Sequence, residues 1–139
     1  MVKFVVHEHH AKHLHFDFRL EMEGVLRSWA VPKGPSMNPA EKRLAIMVED
    51  HTIDYITFEG EIAEGNYGAG TVVIWDSGTY DIISGSAVTG KIEISLNGKK
   101  LKGVFVLTRM KGKNKEWLLI KKKDKYADFS FKLKTVLAS

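Results

Sequence analysis

Four chemically active side chains stand at every second position between residues 15 and 21. They are His15, Asp17, Arg19 and Glu21, and every residue between them is apolar. Successive side chains of a β-strand point to opposite faces, so the alternation predicts a strand with an imidazole, a carboxylate and a guanidinium on one face. Such a face could hold a metal ion and an anion. The alternative is an ordinary half-exposed antiparallel strand, which shows the same alternation.

His9 lies six residues before His15 and completes a candidate metal-ligand set with Asp17. Same-face positions on a strand are about 6.6 Å apart, and converging side chains can close that gap around an ion. Because the chain has no cysteine, a metal would take His, Asp, Glu or water, and this set suits Mn²⁺, Fe²⁺ or Zn²⁺. An incidental cluster is the alternative, since five of the six histidines fall within residues 7–15.

A second group of side chains could bind phosphate. Arg19 would be a poor neighbour of a metal unless an anion lay between them, and a guanidinium can donate two parallel hydrogen bonds to phosphate. His51 and Tyr55 would face one way if residues 52–55 form a helical turn, where both could donate to a phosphate or a leaving oxygen. A surface histidine and a half-buried tyrosine are the alternative. Lys33 and Arg43 add positive charge in the adjoining loop system.

Short strands separated by turn signals account for most of the chain. They predict an all-β fold, a small antiparallel β-barrel of about eight strands with one or two short helices at residues 38–43 and 125–128. Hairpin turns are expected at 23–24, 76–78 and 97–98, and four glycines in residues 59–70 mark a loop in which function can be sought. The predicted strands are residues 4–6, 13–22, 25–31, 44–48, 71–75, 79–83, 91–96, 99–107 and 116–121.

Composition indicates one globular domain over residues 1–139. The 21 basic and 17 acidic residues give a net charge of +4, which mildly favours a polyanionic partner. The late lysines, at 99, 100, 102, 121, 122, 123 and 125, form either a solvated rim or a contact to a nucleic-acid backbone. With no apolar run near 20 residues and no signal peptide, we expect a soluble cytoplasmic protein without a membrane partner.

Several longer segments together resemble the DNA 3′-phosphoesterase domain, which occurs in bacterial ligase D of non-homologous end joining and as a stand-alone archaeal and bacterial protein. The resemblance runs from about residue 4 to residue 127 and leaves a short C-terminal tail. The segments that carry it are HHAKHLHFDFRLE at 9–21, SWAVPKGPS at 28–36, RLA at 43–45, EDH at 49–51 with Tyr55, FEGEI at 58–62 and GNYGAGT at 65–71.

The resemblance implies a small β-barrel that resects 3′ ends with Mn²⁺, for which Zn²⁺ or Co²⁺ are alternatives. A 3′-terminal ribonucleoside is removed to leave a 3′-phosphate, which is then hydrolysed to a hydroxyl. The implied partners are primer-template DNA ending in a 3′-ribonucleotide or 3′-phosphate, and a DNA ligase and polymerase of end joining. The implied metal ligands are His9, His15 and Asp17, the phosphate-contacting catalytic groups are Arg19, His51 and Tyr55, and the supporting basic residues are Lys33 and Arg43.

Two departures and two alternative functions accompany this expectation. His7 and His13 stand where the family usually has a Gln and an Arg. The motif begins almost at Met1, so we expect the longer N-terminal arm of ligase-linked members to be absent, which favours the phosphatase step over ribonucleoside removal. One alternative is a barrel that captures a 3′-phosphate without turnover. The other is a cupin-type oxygenase, against which Arg19 and Lys33 argue.

Overall fold

Nearly the whole chain is β-strand in the computed structural model, which describes residues 2–138. Nine strands and one 3-10 helix, Ile53–Thr57, make up its regular structure. The all-β prediction is therefore confirmed. The strands are β1 (Lys3–His10), β2 (Leu14–Met22), β3 (Val25–Val31), β4 (Arg43–His51), β5 (Gly60–Ile62), β6 (Gly70–Ser86), β7 (Lys91–Gly98), β8 (Lys102–Arg109) and β9 (Glu116–Lys121).

Eight of these strands close into an antiparallel barrel, as predicted. The hydrogen-bonded order is β1-β2-β3-β4-β9-β8-β7-β6, and pairing of β6 with β1 completes the ring. The short strand β5 pairs with β6 outside this ring. Closure leaves the eight barrel strands without a free edge along the ring.

Large apolar side chains fill the barrel. Phe16, Phe18 and Leu20 of β2 are buried in this core, so the alternation of the sequence is a division between barrel interior and outer face. Trp29 of β3 and Trp117 of β9 are both fully buried, and their rings meet at 5.6 Å. Burying a large apolar side chain contributes about 2 kcal/mol, so these residues hold β2 and β3 rigidly beneath whatever their outer faces carry.

The hairpin expected at residues 76–78 is wrong, because β6 runs through it without a break. The Asp76 carboxylate instead accepts hydrogen bonds from the backbone N–H groups of Lys99, Lys100 and Leu101, in the turn between β7 and β8. A Cβ on Gly78 would lie 2.1 Å from the Asn97 carbonyl oxygen. The glycine thus permits close strand approach, and the reversal expected at 97–98 occurs at 99–101 instead.

The two short helices expected at 38–43 and 125–128 are also wrong, since both segments are turns. The Asn38 side chain accepts from the Ala40 N–H, and the Asp124 carboxylate accepts from the Tyr126 N–H. These side-chain bonds offer the backbone an alternative to helix. The 3-10 helix lies instead directly after His51, where a helical turn would bring His51 and Tyr55 to one side.

Two segments outside the barrel strands bear on the site. Residues 52–62 leave the end of β4, cross the outer face of the sheet as the 3-10 helix, and join β6 through β5. Residues 122–138 contain no helix or strand and pack back on the barrel, where the Trp75 indole donates to the Lys134 carbonyl oxygen at 2.7 Å. Within residues 2–138, no helix has the length and apolarity that a membrane span requires.

Candidate metal centre

Strand pairing brings the histidines of two strands to one place on the outer face of the barrel. In the antiparallel register of β1 and β2, His9 lies opposite His15 and His7 lies opposite Asp17. The centroids of the His9 and His15 rings are 4.7 Å apart. Because directly opposed side chains share a face, the pairing joins residues six and ten positions apart in sequence into one cluster.

The three predicted metal ligands converge on a single point. His9 Nδ1 lies 3.4 Å and His15 Nε2 lies 3.3 Å from the same carboxylate oxygen, Oδ2 of Asp17. One ligand atom from each residue lies within 4.8 Å of the others. His9 and Asp17 are buried and His15 is half-buried, so an ion here would retain access from one side.

Two backbone carbonyls orient the imidazoles. His9 Nε2 donates to the Gly68 carbonyl oxygen at 2.7 Å, and His15 Nδ1 donates to the His13 carbonyl oxygen at 3.1 Å. Since a carbonyl can only accept, these bonds place the ring protons away from Asp17 and leave a lone pair of each histidine facing the carboxylate. Metal-binding histidines are oriented in this way, and three converging acceptors need a cation or a proton among them. The donor set therefore fits a divalent metal.

When a proton instead of a metal balances the cluster, the histidine rings can donate to Asp17 and shift its pKa. Burial alone would raise the pKa of Asp17, but hydrogen bonds with His15 and His9 and the charge of Arg19 outweigh it, so the pKa of that carboxyl lies well below its usual range. The hydrogen bond with Asp17 raises the pKa of His15. The carboxylate is thus charged at any physiological pH, and a metal competes at His15 with a proton.

Arg19 is almost completely held by protein groups. Its Nε donates to His7 Nδ1 at 2.9 Å, its Nη1 to Ser28 Oγ at 2.9 Å and to His51 Nδ1 at 3.1 Å, and its Nη2 to Asp17 Oδ2 at 3.3 Å. These four bonds leave one of the five guanidinium N–H groups, on Nη2, without a partner in residues 2–138. A two-pronged contact with phosphate would therefore require Arg19 to exchange one of these bonds.

His7, which sequence reasoning left without a role, is a fully buried neutral side chain. Burial, with the nearby charge of Arg19, lowers the pKa of His7 to about 3. Its Nδ1 accepts from Arg19, so its proton is on Nε2, and its ring meets that of Tyr55 edge to face at 5.3 Å. His7 thus supports both Arg19 and Tyr55 from below.

His51 and Tyr55 come together with Arg19, as the helical-turn prediction required. Their ring centroids are 4.6 Å apart, and the Arg19 guanidinium lies over the Tyr55 ring at 5.1 Å. Burial and the charge of Arg19 lower the pKa of His51, and burial raises the pKa of Tyr55. His51 Nδ1 also lies 3.3 Å from the Glu49 carbonyl oxygen, but Arg19 always carries its proton, so Nδ1 accepts and the His51 proton is on Nε2.

A cavity of about 480 Å³ opens over this cluster. Glu49 and Asp50 form part of one wall, and Tyr67 and Gly68 part of another. All six predicted metal and catalytic residues line it: His9, His15, Asp17, Arg19, His51 and Tyr55.

Lys33 and Arg43 are outside that group. Neither is among the described residues that line the cavity. Lys33 is exposed and directly follows Pro32, which does line it, whereas Arg43 is at the start of β4 with Nη2 at 3.5 Å from Glu41.

Three contributors were not identified from the sequence. Ser28 bonds Arg19, the Gly68 carbonyl orients His9, and Tyr67 stands at the rim. The glycine-rich loop is the sequence feature that points to Gly68 and Tyr67, and the alternation of β3 is the one that points to Ser28. Glu21 shares the outer face of β2, but its carboxylate accepts from the Lys3 N–H at 3.0 Å, and it does not line the cavity in the described part of the chain.

Comparison with known proteins matches residues 7–109 to the family described as the DNA Ligase D 3′-phosphoesterase domain. The chain is 46% identical over 129 residues to the multifunctional non-homologous end joining protein LigD of Pseudomonas aeruginosa, a match that covers 89% of the chain. It is 47% identical over 131 residues to that of Mycolicibacterium smegmatis, and 50% identical over 111 residues to that of Mycobacterium tuberculosis, covering 88% and 78% of the chain. The matched regions span only 15–17% of these relatives.

Proposed function

Because the chain belongs to the DNA ligase D 3′-phosphoesterase family, we propose that it is a metal-dependent hydrolase of 3′ ends in end-joining repair. Its substrates are DNA or RNA primer termini, from which it removes a 3′-phosphate and, before that, a 3′-terminal ribonucleoside. The observation that carries the proposal is the single cavity lined by His9, His15, Asp17 and Arg19 together with His51 and Tyr55. We further propose that residues 1–139 form a single domain, whose family-like region is about 4–127, and that it acts with a DNA ligase and a polymerase.

His9, His15 and Asp17 would hold the metal, for which we propose Mn²⁺, with Zn²⁺ or Co²⁺ as alternatives. When bound, a divalent metal polarises a phosphate oxygen and lowers the pKa of a bound water. The Gly68 and His13 carbonyls keep both imidazoles in the tautomer that offers a lone pair to the ion. The charge of Arg19 lowers the pKa of Asp17 and so favours its ionised form.

Arg19 supplies the fixed positive charge of the cavity. It is fixed in place by four hydrogen bonds, so little reorganisation is needed when negative charge grows on a reacting phosphate, which is the condition for electrostatic catalysis. Its remaining Nη2 N–H can donate directly. Charge stabilisation is thus the role we propose for Arg19.

His51 and Tyr55 are proposed to bind phosphate oxygens from the side of the cavity opposite the metal ligands. The lowered pKa of His51 keeps its ring neutral near pH 7, and Nε2 carries the available proton. His51 therefore acts first as a neutral hydrogen-bond donor. Protonation of its ring for general-acid catalysis requires the negative charge of a bound phosphate to raise its pKa. Tyr55, with a raised pKa, keeps its hydroxyl proton and can donate throughout.

Lys33 and Arg43 are proposed as charges that act from outside the cavity. Lys33, beside the lining residue Pro32, would attract the phosphate backbone of the substrate, and Arg43 would add to the positive potential. Substitution of Lys33 or Arg43 should therefore lower activity less than substitution of Arg19 does. The effect should become smaller as the salt concentration increases.

The deciding experiment uses a 5′-labelled primer-template that ends in a 3′-phosphate, with and without Mn²⁺. We expect phosphate release only with a divalent metal. Asp17→Asn should abolish Mn²⁺ binding measured by titration calorimetry and lower the rate by at least about 10²-fold. Glu21→Gln is the matched control, because Glu21 is on the same face of β2 outside the cavity, and it should behave as wild type. Binding of the end without phosphate release under any divalent metal would indicate a capture protein and overturn the proposal.

A further inference from the structure

Tyr67 is unusual among the aromatic residues because it is in contact with solvent over 91% of its surface. This is the highest exposure of any large apolar side chain in residues 2–138. The ring nevertheless stands at the rim of the cavity that contains His9 and Arg19. An aromatic ring left in water gains nothing for folding, so its position at the mouth of an anion-binding cavity points to a contact with substrate.

The loop that presents Tyr67 is held firmly in place. Two tight turns flank the ring, with the Asn66 N–H bonded to the Ala63 carbonyl and the Ala69 N–H bonded to the Asn66 carbonyl. The Gly68 carbonyl accepts from His9 at 2.7 Å. At Gly70, where φ is 133°, a Cβ would lie 2.3 Å from the His10 carbonyl oxygen, so the loop lies directly on β1. Tyr67 therefore has a defined place next to the metal ligands.

The charge of the cavity mouth is uneven. On one side, at the end of β4, the exposed side chains of Glu49 and Asp50 line the cavity. The loop that carries Tyr67 is on the other side, since the strand order runs β6-β1-β2-β3-β4. There the β1–β2 turn presents Lys12 and His13, both exposed. Glu49 and Asp50 repel a phosphate backbone on the first side, whereas on the second side the charge of Lys12 offsets that of Glu64.

A second groove of about 530 Å³ continues from the cavity on this side. Gly68 lines both spaces, so the two adjoin. Lys12 and the glycine-rich loop line the groove, and Glu64 is its acidic member. The groove thus offers a path along which a strand could leave the cavity past Tyr67 and Lys12.

We propose that the Tyr67 ring stacks against the base of the 3′-terminal nucleotide and that the strand leaves along the groove beside Lys12. This inference rests on the proposed function, since it names how the substrate of that site is held. Stacking of a base on an aromatic ring is tolerant of sequence, so Tyr67 gives the cavity a hold on any terminal base. It also explains an exposed ring on a rigid loop, because a fixed platform loses little entropy on binding.

The first test measures binding of an oligonucleotide that ends in a non-hydrolysable 3′-phosphonate, by fluorescence anisotropy with Mn²⁺ present. Tyr67→Ala should raise Kd about 10-fold, and Tyr67→Phe should bind as wild type because the ring is kept. Tyr126→Ala removes another partly exposed tyrosine, outside the cavity lining, and should leave Kd unchanged.

A stable abasic analogue at the 3′-terminal position separates stacking from other effects of the substitution. Wild type should lose about 10-fold in affinity for the abasic end, whereas Tyr67→Ala should lose nothing further. Equal losses in both proteins, or wild-type Kd in Tyr67→Ala, would overturn the inference. Absence of phosphate release by wild type would instead overturn the proposed function, and the binding comparison would still decide the role of Tyr67.

Discussion

Neutral side chains, as well as a carboxylate, hold the Arg19 guanidinium in position. It is buried on β2, and three of its four hydrogen bonds go to His7, Ser28 and His51 rather than to a carboxylate. Burial lowers the pKa of Arg19, but a guanidinium remains protonated at physiological pH. The orientation of this charge is therefore set by side chains that need not touch the phosphate substrate that we propose.

Substitution of His7 tests whether a neutral neighbour orients Arg19. His7→Leu removes the acceptor for Arg19 Nε while keeping an apolar side chain, so the guanidinium loses one of its four restraints. We expect kcat for 3′-phosphate release to decrease about 10- to 100-fold. His7→Gln offers a carbonyl oxygen to the same N–H and should keep most of the activity.

Circular dichroism and thermal unfolding of both His7 variants provide the control for folding. A folded His7→Leu protein with wild-type kcat would show that His7 is not needed to orient Arg19. Equal loss in the Leu and Gln variants would assign the effect to packing against Tyr55 rather than to the hydrogen bond.

Lys121 at the end of β9 is buried, although its position in a lysine-rich segment predicts an exposed side chain. Composition allows the late lysines to contact nucleic acid, but Lys121, the last residue of β9, is fully buried. Its ammonium donates to the Asp124 carboxylate at 2.7 Å and to the carbonyl oxygens of Val104 and Lys122. Lys121 therefore fastens the segment after β9 to β8 and cannot contact DNA.

Lys121→Met should consequently affect stability and not DNA binding. The substitution leaves the half-buried Asp124 without its cation, so we expect the free energy of unfolding in urea to decrease by about 2 kcal/mol. The dependence of log K for DNA on log salt should not change. Lys122→Met is the control, because Lys122 is exposed with a 3.5 Å contact to Glu93 and should change stability by less than about 0.5 kcal/mol. A reduced salt slope in Lys121→Met would contradict this assignment.

Tyr80 joins β6 to β2 and gives the barrel a pH-dependent stability. Its hydroxyl donates to the Glu21 carbonyl oxygen at 2.6 Å, and burial, with the nearby Glu21 charge, raises the pKa of Tyr80 to about 12. Between pH 10 and pH 12 the unfolded chain releases this proton first, so stability must decrease as pH increases, by about 1.4 kcal/mol at pH 11. Below pH 10 this tyrosine contributes no slope.

Tyr80→Phe isolates the effect in urea unfolding at pH 9 and pH 11. The loss of stability between the two pH values should be smaller in the variant by about 1.4 kcal/mol. An identical loss in both proteins would mean that Tyr80 titrates normally in the folded state.

At the scale of the whole molecule, the segment after β9 is integral to the barrel. Glu8 is fully buried, and its carboxylate accepts from the backbone N–H groups of Val136 and Leu137 and bonds His10. Leu133 packs against the barrel core. The neighbour of His9 on β1 thus anchors the far end of the chain.

Glu8→Gln should weaken the hydrogen bonds that hold Val136 and Leu137 against β1. An amide offers one acceptor oxygen where the carboxylate offers two, and its NH₂ group would face a backbone donor, so the free energy of unfolding should decrease by about 2 kcal/mol. Limited trypsin digestion should then cleave faster after Lys132 and Lys134. Glu23→Gln, at an exposed carboxylate, should match wild type. Unchanged digestion of Glu8→Gln would show that the segment is held by its apolar contacts alone.

Features of the fold that follow from local pattern could be predicted from the amino-acid sequence. Alternation in residues 15–21 assigned Phe16, Phe18 and Leu20 to the core and His15, Asp17 and Arg19 to one outer face, because the period of a strand is two. Strand count predicted the closed barrel, and the family resemblance agreed with the match over residues 7–109.

Features that depend on strand pairing and burial could not be predicted from local pattern. The register of β1 and β2 places His9 opposite His15. The segment after β4 crosses the sheet and brings the Tyr55 ring against the Arg19 guanidinium. The same alternation could not distinguish a free guanidinium from one held by four bonds, nor a surface lysine from the buried Lys121. The spacing of polar and apolar side chains specifies which face of a strand a residue lies on. Its hydrogen-bond partners come from strands and loops that are distant in sequence, and local pattern does not predict where those lie.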